Sequence, residues 1–312
     1  MSAKIIHKLL IAGSTGLVGS RFLALFKNKF SIKTLGRRDA NLKIDLTSKK
    51  EVTQAIETSD ADAVINFAAY TNVDGAEKEK GDKDREAYKI NVMLPSWLAQ
   101  ICKTSGKKLC HISTDYVFDG KQNKRPYTEE DIPSPVNSWY CITKYEGERK
   151  VMEVFNKNGD FIIIRISYPY NGLYKRKLDI ARAVLEKLKN DEDYFGISDQ
   201  KIKPTSVDDI AKALMFLLKK GVTGIYHVAG NFSPREYITP YEFAQSIAEI
   251  LNLNKNMIKP TSFTELSKKR LAPRPQHTWL DTKKIESLGF KITQIDKALE
   301  RFRNQLSKSL PF

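Results

Sequence analysis

Short apolar, β-branched runs alternate with helical patterns from the start of the chain. The runs are "KLLIA" (8–12), "SIKTLG" (31–36), "DAVINFAA" (62–69), "KKLCHIS" (107–113) and "FIIIRIS" (161–167). Between them stand "GLVGSRFLALFKNK", "SKKEVTQAIE", "REAYKINVMLPSWLAQICKTSG" and "CITKYEGERKVMEVFNKNG" (141–159), whose apolar residues recur about every 3.6 positions. The strand-like runs are nearly continuous rather than alternating, which suits a parallel sheet covered on both faces. Strand and helix in this rhythm predict an α/β fold, a Rossmann-type doubly wound parallel sheet.

After about residue 168 the rhythm loosens. Helices are expected at 178–189, 207–220, 240–252 and 294–307, with a strand "GIYHVAG" at 224–230, between loops such as "SPREYITP" and "KRLAPRPQH". The expected organisation is a dinucleotide-binding domain over 1–168 and a smaller C-terminal α/β substrate lobe over 169–312, interleaved at the sheet edge. Ligands of open α/β sheets bind beyond the carboxyl ends of the strands, so one cleft between the lobes is the place to look.

Composition narrows the class of function. The 312 residues are 41% hydrophobic and 29% charged, an ordinary globular balance. No apolar run approaches the roughly 20 residues that span a bilayer, and the start lacks an apolar segment followed by a cleavage site. A cytoplasmic protein with no membrane contact is expected. Cys102, Cys110 and Cys141 are widely spaced, and the four histidines show no ligand spacing, so no metal and no disulfide framework is expected. His111 and His227 lie inside apolar runs and read as structural. The net charge of +15 is scattered over helix-like segments without an aromatic-interleaved platform. A solvated basic surface, not nucleic acid as partner, is the expectation.

Gly13, Gly16 and Gly19 form G-x-x-G-x-x-G between the first run and the first helix. Such a loop meets the needs of a dinucleotide: a tight turn, close backbone approach and a pyrophosphate at the helix start near Leu17. The second run ends in "LGRRDANLKIDL". Arg37 and Arg38 there favour NADP, through its 2′-phosphate, over NAD, which stays open; the alternative is an exposed turn.

In "WYCITKYEGERK", Tyr140 and Lys144 share one helix face. A free tyrosine has a pKa of about 10, and a neighbouring ammonium together with a positive nicotinamide is expected to pull it down. Hydroxyls of Ser113 and Thr114 end the fourth long run, in "STDYVFDG", and would lie beside Tyr140. A carbonyl oxygen could then accept from Thr114 and Tyr140 together, with Tyr140 giving the proton and a nicotinamide the hydride. Asp115 could orient Thr114 or a sugar hydroxyl. Tyr116 and Phe118 offer ring surface, or pack as ordinary core.

Together these segments resemble the extended short-chain dehydrogenase/reductases, and within them the dTDP-4-dehydrorhamnose reductase family. The matches are "GSTGLVGS", "NFAAYTNVDGAE", Asn91 of "KIN", "STDYVFDG", "YCITKYEGE", "RIS", "KPTSVDDIA", "GIYHVAG" and "RPQHTWLDTKKIESLGF", in order over nearly the whole chain. The resemblance implies that Thr114, Tyr140 and Lys144 are catalytic and that the partner is a nucleotide sugar. It implies that the cofactor meets Thr15, Leu17, Val18, Asp45 and Leu46. Ala68, Ala69, Tyr70, Thr71 and Ser113 would line it further along. Thr114, Asp115, Tyr116 and Tyr168 would meet the substrate. Related dehydratases carry a glutamate where this chain has Tyr116, so elimination lacks its acid and carbonyl reduction remains.

The chain departs from the family in "RISYPYNG", where the usual pattern is R-T-S-W-V-[YF], and in "RPQHT", where it is RPxNS. Arg274 of "PRP" could line the outer end of the pocket for a diphosphate, or sit in a stiff surface turn. The oligomeric state, a homodimer included, is left open. A rival reading is a non-catalytic NADP-binding regulatory subunit, since the methionine adenosyltransferase β-subunit resembles the same branch.

Overall fold

The computed structural model describes residues 6–157 and 159–309. Residues 1–5, Asn158 and residues 310–312, which the expected lobes and the expected 141–159 helix include, lie outside the described residues. Seven parallel strands form the central sheet: β1 (Lys8–Ala12), β2 (Ser31–Gly36), β3 (Leu42–Lys43), β4 (Ala63–Asn66), β5 (Lys108–Thr114), β6 (Phe161–Ile166) and, after three short strands, β10 (Gly224–Val228). Those short strands are β7 (Pro169–Tyr170), β8 (Tyr194–Ile197) and β9 (Thr205–Ser206), and β11 (Ile258–Thr261) follows β10. The spatial order of the large sheet is β10-β6-β5-β4-β1-β2-β3. The direction of winding reverses between β1 and β4, which opens a crevice at their carboxyl ends.

Alternate residues of the buried strands feed two cores. Leu9, Ile11, Ile65, Ile112 and Ile164 pack toward the helices Leu17–Phe26 and Val207–Lys220. Leu10, Val64, Leu109 and Ile163 pack toward the helices Leu94–Thr104 and Trp139–Val154. Each such side chain contributes about 1.5–3 kcal/mol by leaving water, which explains why these runs had to be apolar on both sides. Beyond β6, β7 pairs with β9 and β8 with β11, around a third core holding Tyr170, Phe243 and Phe302.

Among the elements that differ from expectation, two bear on the site. The run 62–69 stops as a strand at Asn66, whose side chain accepts from the Ala68 amide at 3.0 Å and turns the chain. The expected helix 85–106 is interrupted by a π-helical turn, Lys89–Met93, before Leu94–Thr104. Asn91 lies in that turn. It accepts from the Tyr70 amide at 2.9 Å and donates to Thr143 Oγ1 at 3.1 Å, tying the loop after β4 to the helix Trp139–Val154.

Gly147 is where that helix meets the π-turn. A Cβ there would stand 2.1 Å from the Asn91 carbonyl oxygen and 3.3 Å from Pro95 Cγ. Alanine is worth about 1 kcal/mol over glycine inside a helix, whereas forcing two packed backbones apart costs about 1–3 kcal/mol. Gly147→Ala is therefore expected to lower stability in urea unfolding; an unchanged or raised midpoint would show that the two backbones can separate freely.

Candidate active site

The glycine loop is built for close approach. Gly13 has φ +77°, and a Cβ on it would lie 2.4 Å from the Ala68 nitrogen, so loop and β4 turn touch backbone to backbone. A Cβ on Gly19 would reach 2.3 Å from the Gly13 carbonyl oxygen, so the helix packs directly on its own loop. The helix Leu17–Phe26 starts at Gly16 with no side-chain cap and no acidic residue in its first turn. Its first amides and its dipole therefore face the crevice uncompensated, and an anionic diphosphate fits there.

The end of β5 supplies hydroxyls in a buried setting. Thr114 Oγ1 donates to Asp115 Oδ1 at 3.1 Å and accepts from the Tyr116 amide at 3.2 Å, capping the 3₁₀ turn Asp115–Val117. Ser167 Oγ donates to Asp115 Oδ2 at 2.9 Å. Burial raises the Asp115 carboxyl to about 6, against the hydrogen bonds from Ser167 and Thr114 that lower it. Thr114 has only one hydroxyl proton, and here Asp115 takes it. Giving a hydrogen bond to a substrate oxygen, as expected, therefore requires that hydroxyl to rotate away from Asp115.

Helix Trp139–Val154 places Tyr140 and Lys144 one turn apart, both buried. Lys144 Nζ donates to the Ile112 carbonyl of β5 at 2.9 Å. Burial lowers Lys144 to about 8, and nearby Glu148 opposes that shift. Glu148 is itself held by Arg165 at 2.8 Å in a fully buried ion pair. Tyr140 is governed by burial. Burial pushes its phenol above the usual range, and a hydrogen bond with Thr114 offsets only part of that rise. The largest influence on Tyr140 in the protein alone is desolvation of its phenolate. At neutral pH Tyr140 is a phenol, the form a proton donor needs.

Opposite Tyr140, three rings meet edge on: Tyr140 to Tyr116 at 6.0 Å and Tyr116 to Tyr168 at 6.1 Å between centroids. The hydroxyls of Tyr116 and Tyr168 are 3.2 Å apart, and Gln200 Nε2 donates to Tyr168 at 3.2 Å. Tyr168 adopts φ +41°, a left-handed backbone unusual for a bulky residue, held by this chain of hydrogen bonds. Burial raises Tyr116 to about 12 and holds the Tyr168 phenol well above its usual range.

A cavity of about 470 Å³ joins these parts. Among the residues singled out in the sequence, Gly16, Leu17, Val18, Ala69 and Thr71 line its glycine-loop side. Ser113, Thr114, Asp115, Tyr116, Tyr140, Lys144 and Tyr168 line the other. Thr15 lines an adjoining cavity, while Gly13, Gly19 and Ala68 lie in the packed loop beneath. Tyr70 is held through its amide by Asn91, and Asp45 accepts from Thr47 with Leu46 packed on the second core. Arg37 is exposed and pairs with Glu86 at 2.9 Å. Arg274 is neither solvated nor on the cavity wall: it grips Asp74 with both nitrogens, at 3.1 and 2.9 Å. Phe118 takes the packing alternative, fully buried and stacked 4.2 Å from Tyr127. Lys177, Asp179 and Tyr174 also line the cavity, and neither they nor Gln200 stood out in the sequence. They belong to no local motif. Only the "YPYNG" departure hinted at that region.

A family model described as the RmlD substrate binding domain matches residues 7–308. The chain is 31% identical over 306 residues to a dTDP-4-dehydrorhamnose reductase of Aggregatibacter actinomycetemcomitans, covering 95% of this chain and 98% of the relative. It is 30% identical over 293 residues to the methionine adenosyltransferase 2 subunit beta of Rattus norvegicus, covering 91% and 83%. The crystal structure of dTDP-4-dehydrorhamnose reductase from Bacillus anthracis in complex with NADP superposes with a TM-score of 0.83 at 28% identity, over 96% of this chain and all of that one.

The buried ammonium gives a direct expectation. Lys144 should lose its proton near pH 8, well below the usual 10.5, because water cannot reach its charged form. A ¹³C-methylated or Cε-labelled lysine titration followed by NMR should show one resonance moving in that range and absent from Lys144→Met. Titration of every lysine near 10.5 would contradict the burial account.

Proposed function

The chain belongs to the RmlD substrate-binding-domain family, and from that membership we propose that it is an NAD(P)H-dependent reductase of a nucleotide-linked 4-keto-6-deoxysugar. The favoured substrate is dTDP-4-dehydrorhamnose, at the last step of dTDP-L-rhamnose formation. The observation that carries the reading is the neutral Tyr140 phenol, buried beside Thr114 and Lys144, facing a cavity that continues to an uncapped helix start.

The glycine loop and helix start would hold the cofactor diphosphate, Ala69 and Thr71 would flank it, and Arg37 at the end of β2 would take a 2′-phosphate, favouring NADP over NAD. A bound reduced dinucleotide supplies the hydride that a carbonyl carbon needs. Tyr140 delivers its proton to the carbonyl oxygen as negative charge builds there. Lys144, fixed to Ile112, steadies the phenolate that remains, and Thr114 hydrogen-bonds at the same oxygen. Asp115 accepts from Ser167, and from Thr114 until the Thr114 hydroxyl rotates to the substrate oxygen. Tyr116 and Tyr168 wall the sugar and offer phenol hydroxyls in place of a carboxylic acid, so proton-assisted loss of water finds no acid at that position. Arg274 is held by Asp74 with both nitrogens and would reach the sugar's diphosphate only by leaving that carboxylate. No helix among the described residues is long and apolar enough to cross a membrane; the proposed enzyme works in the cytoplasm on a soluble substrate.

A second reading, a regulatory subunit that keeps the dinucleotide site, is favoured by the 30% identity to the methionine adenosyltransferase subunit. Oxidation of NADPH against a panel of 4-keto nucleotide sugars separates the two: turnover supports the reductase, and no turnover with intact dinucleotide binding supports the second reading. For the reductase, Tyr140→Phe should cut kcat by a factor on the order of 10² or more while leaving NADPH affinity nearly unchanged. Turnover within a few-fold of the parent protein would remove Tyr140 from proton transfer.

A further inference from the structure

The segment 173–178, with its basic run Lys175, Arg176 and Lys177, crosses the mouth of the crevice. Its two ends are pinned together: the Asn171 amide donates to Asp179 Oδ2 at 3.0 Å, and Asp179 then caps the helix Ile180–Lys189 by accepting from the Ala181 and Arg182 amides. Asn171 is further fixed to Gln305 at 3.1 Å. The result is a compact loop with fixed roots and a basic tip.

The tip is moored on both sides of β1. Arg176 pairs at 2.9 Å with Asp39, just past β2, and Lys177 Nζ donates to Thr71 Oγ1 at 3.0 Å and to the Thr71 carbonyl at 3.2 Å, just past β4. Since β2 and β4 flank β1 in the sheet, the strap spans the glycine loop that ends β1. Lys177 lines the same cavity as Gly16, Leu17 and Val18. Its only hydrogen-bond acceptors among the described residues are the neutral oxygens of Thr71, and no carboxylate pairs with it. The Arg176–Asp39 pair is about two-thirds exposed on each side, so it is a weak mooring.

We propose that Lys177 is a cofactor-binding residue: carried by the substrate lobe, it closes over the helix start and neutralises the diphosphate of the dinucleotide from the side opposite the glycine loop. The proposal rests on the dinucleotide reading above and adds a contact from the second half of the chain. A dinucleotide running from β2 across β1 toward β5 passes beneath this tip, and its diphosphate is the one group on that path whose charge complements a lysine lacking a carboxylate.

Isothermal titration of NADPH, NADH and dTDP into the parent protein, Lys177→Met and Lys177→Arg tests it. Lys177→Met should weaken NADPH and NADH by the same factor, about tenfold for one lost charge-assisted contact, because the diphosphate is common to both. Lys177→Arg should restore most of the affinity, and dTDP affinity should not change. Thermal unfolding should be unaffected, since Lys177 is exposed. Equal NADPH affinity in the parent and Lys177→Met overturns the inference while leaving the reductase reading intact. Loss of dTDP rather than NADPH affinity also overturns it, assigning the strap to the nucleotide sugar's diphosphate. Failure of the parent protein to bind either dinucleotide overturns both readings.

Discussion

The hydrogen bond from Lys144 to the Ile112 carbonyl joins the two elements on which the site depends, the end of β5 and the helix Trp139–Val154. A lysine ammonium is costly to bury, and one carbonyl does not compensate for the water it loses. The helix must therefore be held against the sheet by other means. Val151 and neighbouring Phe155 pack on the sheet face, Gly147 lets the helix touch the Asn91 turn, and Glu148 pairs with Arg165 of β6. The same burial that lowers Lys144 raises Tyr140 and Asp115. Desolvation at one strand end thus sets three protonation states together: a phenol with its proton, an ammonium near the edge of losing its own, and a carboxyl that titrates near 6.

This arrangement explains the functional asymmetry of the two ends of the cavity. The glycine-loop end is backbone: amides, a helix dipole and close contacts. The tyrosine end is side chain: the Tyr116–Tyr168–Gln200 chain, strained at Tyr168, is where the sequence leaves its family's usual pattern. On the proposed reading, selection among sugars would belong to that end, because a sugar's hydroxyls must be matched by partners or left buried and unpaired.

Much of the scaffold was legible because burial on two faces forces β-branched runs, and because a loop carrying glycine at every third position between strand and helix has few other uses. Tyr140, Lys144 and Thr114 were legible from helix spacing and a strand terminus, both local properties. The π-turn was not, since its cause is Asn91 reaching Tyr70 from 21 positions away. Gln200 and Lys177 were invisible for the same reason: their partners lie 32 and 106 positions off. Arg37 and Arg274 stood out as free cations, but Glu86 and Asp74, remote in sequence, hold them. Residue spacing conveys that Tyr140 lies near a charge and says nothing of how completely water is excluded, which is what raises its phenol in the protein alone.

The central claim is that the buried Tyr140 site reduces a keto sugar rather than only holding a dinucleotide. Incubation with NADPH carrying deuterium at both nicotinamide C4 positions and dTDP-4-dehydrorhamnose puts it to the test. The account predicts one deuterium on C4 of the recovered sugar, seen as a one-unit mass gain beyond reduction by protium and as loss of the H4 signal in the NMR spectrum. Tight binding of the labelled cofactor with no deuterium in the sugar would contradict it.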